Sequence, residues 1–233
     1  MRVNAVIAAG GQGKRMKSSM SKQFLTVKGH PILYYTLSTF EAMGVLGEIL
    51  LVVGRDDIDN AQREILDRYR FKKVRLIEGG SQRQDSVYNG LRGLSSQTDI
   101  VVIHDGVRPF VTRKIINRSI EAAKKYKAVG AAVPVKDTIK VVGENNTIIK
   151  TPDRRSLWAM QTPQTFDFDL ILRAHEEAMA DGFYGTDDAM LVERMGLDVK
   201  IIEGAYENIK ITTPEDIMVA EAFAAMGYGD YRR

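Results

Sequence analysis

Short apolar runs alternate with helical periodicity through the first half of this chain, and that alternation admits few folds. Residues 3–9, 49–53, 74–77 and 100–103 are Val/Ile/Leu/Ala runs of strand length, interrupted only by Asn4 and Arg75, the pattern of strands buried on both faces of a parallel sheet. Between them, Leu33, Leu37 and Phe40, then Ile58, Ile65 and Leu66, then Val87, Leu91 and Leu94 recur at helical spacing. After the fourth run, Thr112 stands where it can cap a helix burying Ile116, Ile120 and Ala123. The expected core is a parallel sheet with right-handed crossovers and helices on both faces. Such sheets bind ligands at the carboxyl ends of their strands.

The polar turns fall at that edge. The first run breaks into Gly10, Gly11 and Gly13, where backbone N–H groups can face outward and form an anion-binding concavity. Arg15 and Lys22 add full positive charge nearby, and the combination describes a polyphosphate site. Neither familiar phosphate motif fits. A dinucleotide fingerprint starting at Gly11 needs glycine at Met16. A P-loop ending at Gly13-Lys14 needs glycine at Ala8 and Ser or Thr at Arg15. The third run ends in Glu78-Gly79-Gly80-Ser81-Gln82-Arg83 and the fourth in His104-Asp105-Gly106-Val107-Arg108. A carboxylate at Asp105 can hold magnesium against substrate phosphates, since that ion takes one or two carboxylates plus phosphate oxygens; pairing of Asp105 with Arg108 is the plainer alternative. His104 reads as a packed loop residue. Cations, amides and one acid, with no Ser–His arrangement or Gly-x-Ser-x-Gly elbow, suit phosphoryl or nucleotidyl transfer, which needs mainly positioning and charge stabilisation.

Length and composition set limits. The 233 residues suit a single domain, 1–233, with an appendage. Net charge is +3 without runs of cations, so a nucleic-acid partner is not expected. With no cysteine and three histidines, disulfides, thiolate metal sites and cysteine nucleophiles are excluded, in agreement with a cytoplasmic location. No apolar run reaches spanning length, so no membrane association is expected, and Met1-Arg2-Val3 enters a strand directly, without a signal peptide. Residues 129–135 read as a further strand. Residues 138–142 and 147–151 then flank Gly143-Glu144-Asn145-Asn146 as a β-hairpin arm over about 136–154. It holds too little apolar surface to stand alone, so it should pack on something else. Helices are expected from Phe168 to about Asp181 and after a Thr186 cap, a strand at 199–202, and a last helix behind the Thr213-Pro214-Glu215-Asp216 capping box.

Taken together, the motifs resemble the 2-C-methyl-D-erythritol 4-phosphate cytidylyltransferases of the non-mevalonate isoprenoid route. The match runs through Ala8 to Met16, Lys22-Gln23, Gly79 to Val87, His104-Asp105, Asp137 to Lys140, Arg154 to Trp158, Gln161 to Gln164, Thr186 to Ala189 and Asn208 to Asp216. Ser21 replaces a common proline, and Gly106-Val107 replaces a pair of alanines. The latter turn is shared with ribitol-5-phosphate cytidylyltransferases, whereas 137–140 and 154–158 favour the erythritol enzyme. The resemblance implies an α/β, Rossmann-like, mostly parallel sheet of nucleotidyltransferase type with a protruding hairpin. It implies that Arg15 and Lys22 stabilise charge on the α-phosphate, and that Ala8, Ala9, Gly10, Gly13, Gly80, Arg83, Ser86 and Gly106 bind CTP. Asp105 would lie at magnesium, and Thr138, Arg154, Thr186 and Lys210 would hold the polyol phosphate. A homodimer whose arms complete each other's sites is expected. A non-catalytic nucleotide-binding module would keep the glycine loops but need neither Arg15 nor Lys22; an oxidoreductase would need the absent fingerprint.

Overall fold

In the computed structural model, which describes residues 1–11 and 21–229, the first apolar run forms strand β1 (Val3–Ala9), buried along almost its whole length. Two short strands, β2 (Thr26–Val27) and β3 (His30–Pro31), pair antiparallel and lead into helix α1 (Ile32–Glu41). Pro31, with its fixed φ and missing N–H, stands at the start of that helix. Strand β4 (Leu46–Val53) is followed by α2 (Ile58–Ala61), which continues as a π-helical stretch over Gln62–Asp67. Then come β5 (Val74–Glu78), α3 (Arg83–Gly93), β6 (Ile100–Asp105) and α4 (Arg113–Tyr126). Thr112 caps α4 as expected, its hydroxyl oxygen accepting the Ile115 N–H at 3.3 Å.

The second half is less regular. Strand β7 (Ala128–Pro134) leads into the hairpin β8 (Val141–Val142) and β9 (Ile148–Lys150), and the chain returns as β10 (Trp158–Asp167). Helices α5 (Phe168–Ala180) and α6 (Asp188–Arg194), strand β11 (Lys200–Glu203) and helix α7 (Pro214–Met226) follow. The α7 capping box is present, with the Asp216 carboxylate accepting the Thr212 and Thr213 N–H groups at 2.7 and 2.9 Å.

The main sheet has seven strands in the order β11-β7-β10-β6-β1-β4-β5. Strand β10 runs antiparallel to both its neighbours, β6 and β7; the other pairings are parallel. The sheet is therefore mostly parallel rather than wholly so. One face buries Leu33, Leu37, Ile65 and Ile116 from α1, the α2 region and α4; the other buries Val87, Leu91, Ile171 and Leu191 from α3, α5 and α6. Each such side chain contributes roughly 1.5–3 kcal/mol of hydrophobic stabilisation. A smaller cluster seats Ala220 and Ala224 of α7 against Val27, Tyr35 and Phe110. No helix among the described residues is long and apolar enough to cross a membrane.

Candidate active site

The carboxyl ends of β1, β4, β5 and β6 open onto one cleft of about 680 Å³. Ala8, Ala9 and Gly10 form its floor, Gly79 to Arg83 one wall, and Ser21 to Gln23 another. Ser86 organises the second glycine turn from the first turns of α3: its hydroxyl oxygen accepts the Gly80 N–H at 3.1 Å and donates to the Gln82 carbonyl at 3.0 Å. Gly80 is required by space, because a Cβ there would stand 2.3 Å from the Asp85 Cβ. Residues 54–57, after β4, also line the cleft, although the sequence offered no motif there.

At the mouth, one carboxylate is surrounded by cations. Asp105 receives Arg83 Nε on Oδ1 at 3.0 Å, and Lys210 Nζ and Arg108 Nε on Oδ2 at 2.8 and 3.6 Å. Arg83 Nη2 reaches the buried Asp188 at 2.8 Å, and Asp188 also meets His175 Nε2 at 3.3 Å. Burial alone would raise the Asp105 carboxyl, but Arg83, Lys210 and Arg108 hold it well below the usual carboxylate range. Burial alone would lower the Arg83 guanidinium; Asp188 and Asp105 overcome that and raise it. Arg83, Arg108 and Lys210 face Asp105 and Asp188, leaving surplus positive charge where a phosphate would arrive.

A second cavity, of about 240 Å³, adjoins the first and shares Arg83, Asp105 and Lys210 with it. Its far side is made by Met160, Gln161, Thr162 and Gln164 of β10 and by Thr186 and Asp187. The cluster around Asp105 is thus the partition between two compartments.

His104, beside it, is fully buried, as the sequence suggests, with Nδ1 3.0 Å from the Thr162 hydroxyl and Nε2 3.2 Å from the Arg108 carbonyl. Burial pushes its pKa down from 6.5 to about 3. The unfolded chain therefore binds one more proton than the folded one between those values, and this stability, complete above pH 6.5, is lost as pH falls through the window. Stability should drop by on the order of 2 kcal/mol between pH 6.5 and 5 from this residue. Thermal melts at the two pH values check it: the drop should shrink in His104→Gln.

Of the sequence candidates, Ala8, Ala9, Gly10, Lys22, Gly80, Arg83, Ser86, Asp105 and Lys210 line the larger cavity, and Thr186 and Lys210 the smaller. Gly106 lines neither. It is buried behind the floor, donating its N–H to the Ala8 carbonyl at 2.9 Å, and a Cβ there would lie 3.0 Å from Ala9 Cβ. Thr138 and Arg154 sit on or beside the arm, exposed and outside both cavities; Arg154 donates to the Lys136 carbonyl at 2.7 Å. Gly13 and Arg15 lie outside the described residues. The cap of α6 is a correction: Asp187, not Thr186, accepts the Met190 N–H, at 3.0 Å. Asp187 stands three residues before Met190, the spacing at which a capping side chain reaches a first-turn amide, and Thr186 lines the smaller cavity instead. The engagement of Arg83 by Asp188 has no sequence signal.

No group of three or more His, Asp or Glu side chains among the described residues could hold a metal ion alone. Asp105 fits as one carboxylate ligand of a magnesium ion that takes its other ligands from phosphates and water. Lys210, 35 % exposed, is the contact it would exchange.

A mostly parallel α/β sheet with amide-rich turns, clustered cations and a two-compartment cleft at its carboxyl edge suits phosphate-bearing ligands, and the family match makes the chain a nucleotidyltransferase. More narrowly, the chain belongs to the 2-C-methyl-D-erythritol 4-phosphate cytidylyltransferase (IspD) family, whose family model matches residues 3–225. A curated relative of that name from Caldanaerobacter subterraneus is 50% identical over 224 residues, covering 96% of this chain and 99% of its own. The solved 4-diphosphocytidyl-2C-methyl-D-erythritol synthase of Anaerococcus prevotii superposes with a TM-score of 0.86 at 38% identity, covering 96% of each chain. The 2-C-methyl-D-erythritol 4-phosphate cytidylyltransferase structure from Thermus thermophilus gives 0.80 at 32% identity, covering 97% of this chain and 100% of that one.

Proposed function

We propose that this chain joins CTP to 2-C-methyl-D-erythritol 4-phosphate, giving 4-diphosphocytidyl-2-C-methyl-D-erythritol and pyrophosphate. The observation that carries this reading is the cationic partition at Asp105 between a large glycine-walled cavity and a small polar one. The larger suits a nucleoside triphosphate and the smaller a polyol phosphate, so their phosphates meet at the partition. A phosphate oxygen of the polyol phosphate attacks the α-phosphorus of CTP; the bond from that phosphorus to the bridging oxygen breaks, and pyrophosphate leaves with the electron pair. No covalent enzyme intermediate is needed. Lys22 and Arg15 neutralise charge on the α-phosphate, Gly10 and Gly80 present amides, and Ser86 fixes the Gly80 turn. Lys210 and Thr186 hold the acceptor. Magnesium held by Asp105 would neutralise triphosphate charge.

Mixing purified protein with CTP, magnesium and either methylerythritol 4-phosphate or ribitol 5-phosphate, and measuring pyrophosphate, tests this. Turnover per Michaelis constant should be higher for the erythritol acceptor. A preference for ribitol 5-phosphate would reassign the acceptor, and no pyrophosphate with either would leave a nucleotide-binding regulatory module.

The reading extends to a symmetric dimer in the cytoplasm. Val141, Val142, Ile148 and Ile149 of the arm are 44–68% exposed, and a two-stranded hairpin is marginal alone. An apolar arm beside Thr138 and Arg154, which one chain leaves away from its own cavities, suits a partner's site. Mixing inactive Arg15→Ala chains with inactive Arg154→Ala chains should restore activity, since a mixed dimer then holds one site with both arginines. If dimers form but no activity returns, Arg154 acts within its own chain.

A further inference from the structure

Lys22 belongs to a single 3₁₀ turn, Lys22–Phe24, at the rim of the larger cavity. One turn of 3₁₀ helix has little stability of its own, and a lysine side chain carries about 2 kcal/mol of rotamer entropy. A group meant to meet one phosphate needs a firmer base. Asp57, more than thirty residues along at the end of the loop after β4, supplies a grip on both sides of it. Its Oδ1 accepts the Ser21 hydroxyl at 3.0 Å, and its Oδ2 accepts Gln23 Nε2 at 3.0 Å. The two donors are the residues immediately flanking Lys22. Gln23 is fully buried, so its amide is fixed by packing as well as by the bond. Asp57 is itself held by its own N–H, which donates to the Gly54 carbonyl at 2.9 Å at the carboxyl end of the sheet. The carboxylate thereby ties the turn bearing Lys22 to the rigid edge of β4.

We infer that Asp57 is a positioning residue for Lys22: it clamps the turn from both sides and sets where the ammonium meets the transferred phosphate. This rests on the reading of Lys22 as the group that neutralises the α-phosphate. A carboxylate offers an acceptor oxygen to each donor, whereas an asparagine keeps one acceptor for Gln23 and meets the Ser21 hydroxyl with its own N–H₂, which reverses that bond. The clamp also differs from a substrate contact, although Asp57 lines the cavity. A direct contact with CTP would be felt in binding, while a displaced lysine would be felt in turnover.

The test is a kinetic cycle on the full-length protein with CTP, magnesium and methylerythritol 4-phosphate, using Asp57→Ala, Lys22→Met and the double variant. Misplacing a catalytic group by about 1 Å costs up to a hundredfold, so Asp57→Ala should lower kcat by roughly tenfold or more. The KM for CTP should stay within about twofold, because the clamp holds no ligand. In the Lys22→Met background the same substitution should change kcat by less than about twofold, since there is no ammonium left to place. Asp57→Asn, of the same shape with one acceptor retained, should fall between, and it carries the cycle should the alanine variant fail to fold. Equal losses in both backgrounds overturn the inference in favour of a general structural role. A raised KM for CTP with unchanged kcat overturns it in favour of direct nucleotide contact. If Lys22→Met loses turnover but Asp57→Ala and Asp57→Asn are not impaired, the clamp falls and the role of Lys22 stands. If Lys22→Met keeps full turnover, the role of Lys22 falls and the clamp with it.

Discussion

Replacing Arg83 by methionine is expected to lower the melting temperature by about 6–12 °C. The guanidinium lies between two acids whose side chains are 8% and 1% exposed. Removing one partner of a buried pair leaves the other charge without compensation, at a cost of about 3–5 kcal/mol. Asp105 keeps Lys210 and Arg108, and Asp188 keeps only the His175 contact, so the low end applies. About 3 kcal/mol corresponds to that temperature shift for a chain of this size. Thermal unfolding of Arg83→Met measures it directly. Arg83→Met/Asp188→Leu should recover most of the loss, because replacing both partners by apolar groups is close to neutral. A single variant melting within 2 °C of the parent would show that the bridge holds nothing.

Arg15→Lys is expected to cost on the order of a hundredfold or more in turnover although the charge is kept. An arginine can bridge two phosphate oxygens with its planar fork, whereas an ammonium is a point charge. Arginines that stabilise transferred phosphoryl groups are worth about 10³–10⁵ in rate, and lysine retains part of that through charge alone. The loss should fall on kcat, with the KM for CTP changing by less than about fivefold, as for an interaction made chiefly in the transition state. Steady-state kinetics separate the two constants, and near-normal turnover would remove Arg15 from the transition state.

The legibility of the fold followed how each element meets its neighbours. Strands β1, β4 and β6 are buried on both faces over most of their length and announce themselves as predominantly apolar runs. Strand β10 does not, although it is equally central. Gln161, Thr162, Gln164 and Thr165 are buried there, and Pro163 argues against an interior strand. Hydrogen bonds compensate for that polarity: Gln161 donates to the Ala205 carbonyl, Thr162 accepts the Asp105 N–H, and Gln164 accepts the Asp188 and Ala189 N–H groups. No periodicity encodes partners so distant in the chain. The site divides the same way. Glycine turns and strand-end acids are local features, whereas the bridge from Asp105 through Arg83 to Asp188 joins β6, α3 and α6 and exists only once the sheet has assembled.

The antiparallel course of β10 has a consequence for the arm. Strand β7 leaves the sheet at Pro134, and β10 re-enters with Trp158 paired to that residue; Val135 N–H donates to the Leu157 carbonyl at 3.0 Å. The excursion therefore begins and ends at a point already closed by the sheet's own ladder, like a drawer whose runners are fixed in the cabinet. Its length can change at little thermodynamic cost, since each doubling of a flexible loop adds only about 0.6 kcal/mol. Excising the arm and joining its two roots with a tight turn would leave the core strands in register. The register of the core sheet and the course of the arm are thus encoded in separable parts of the chain.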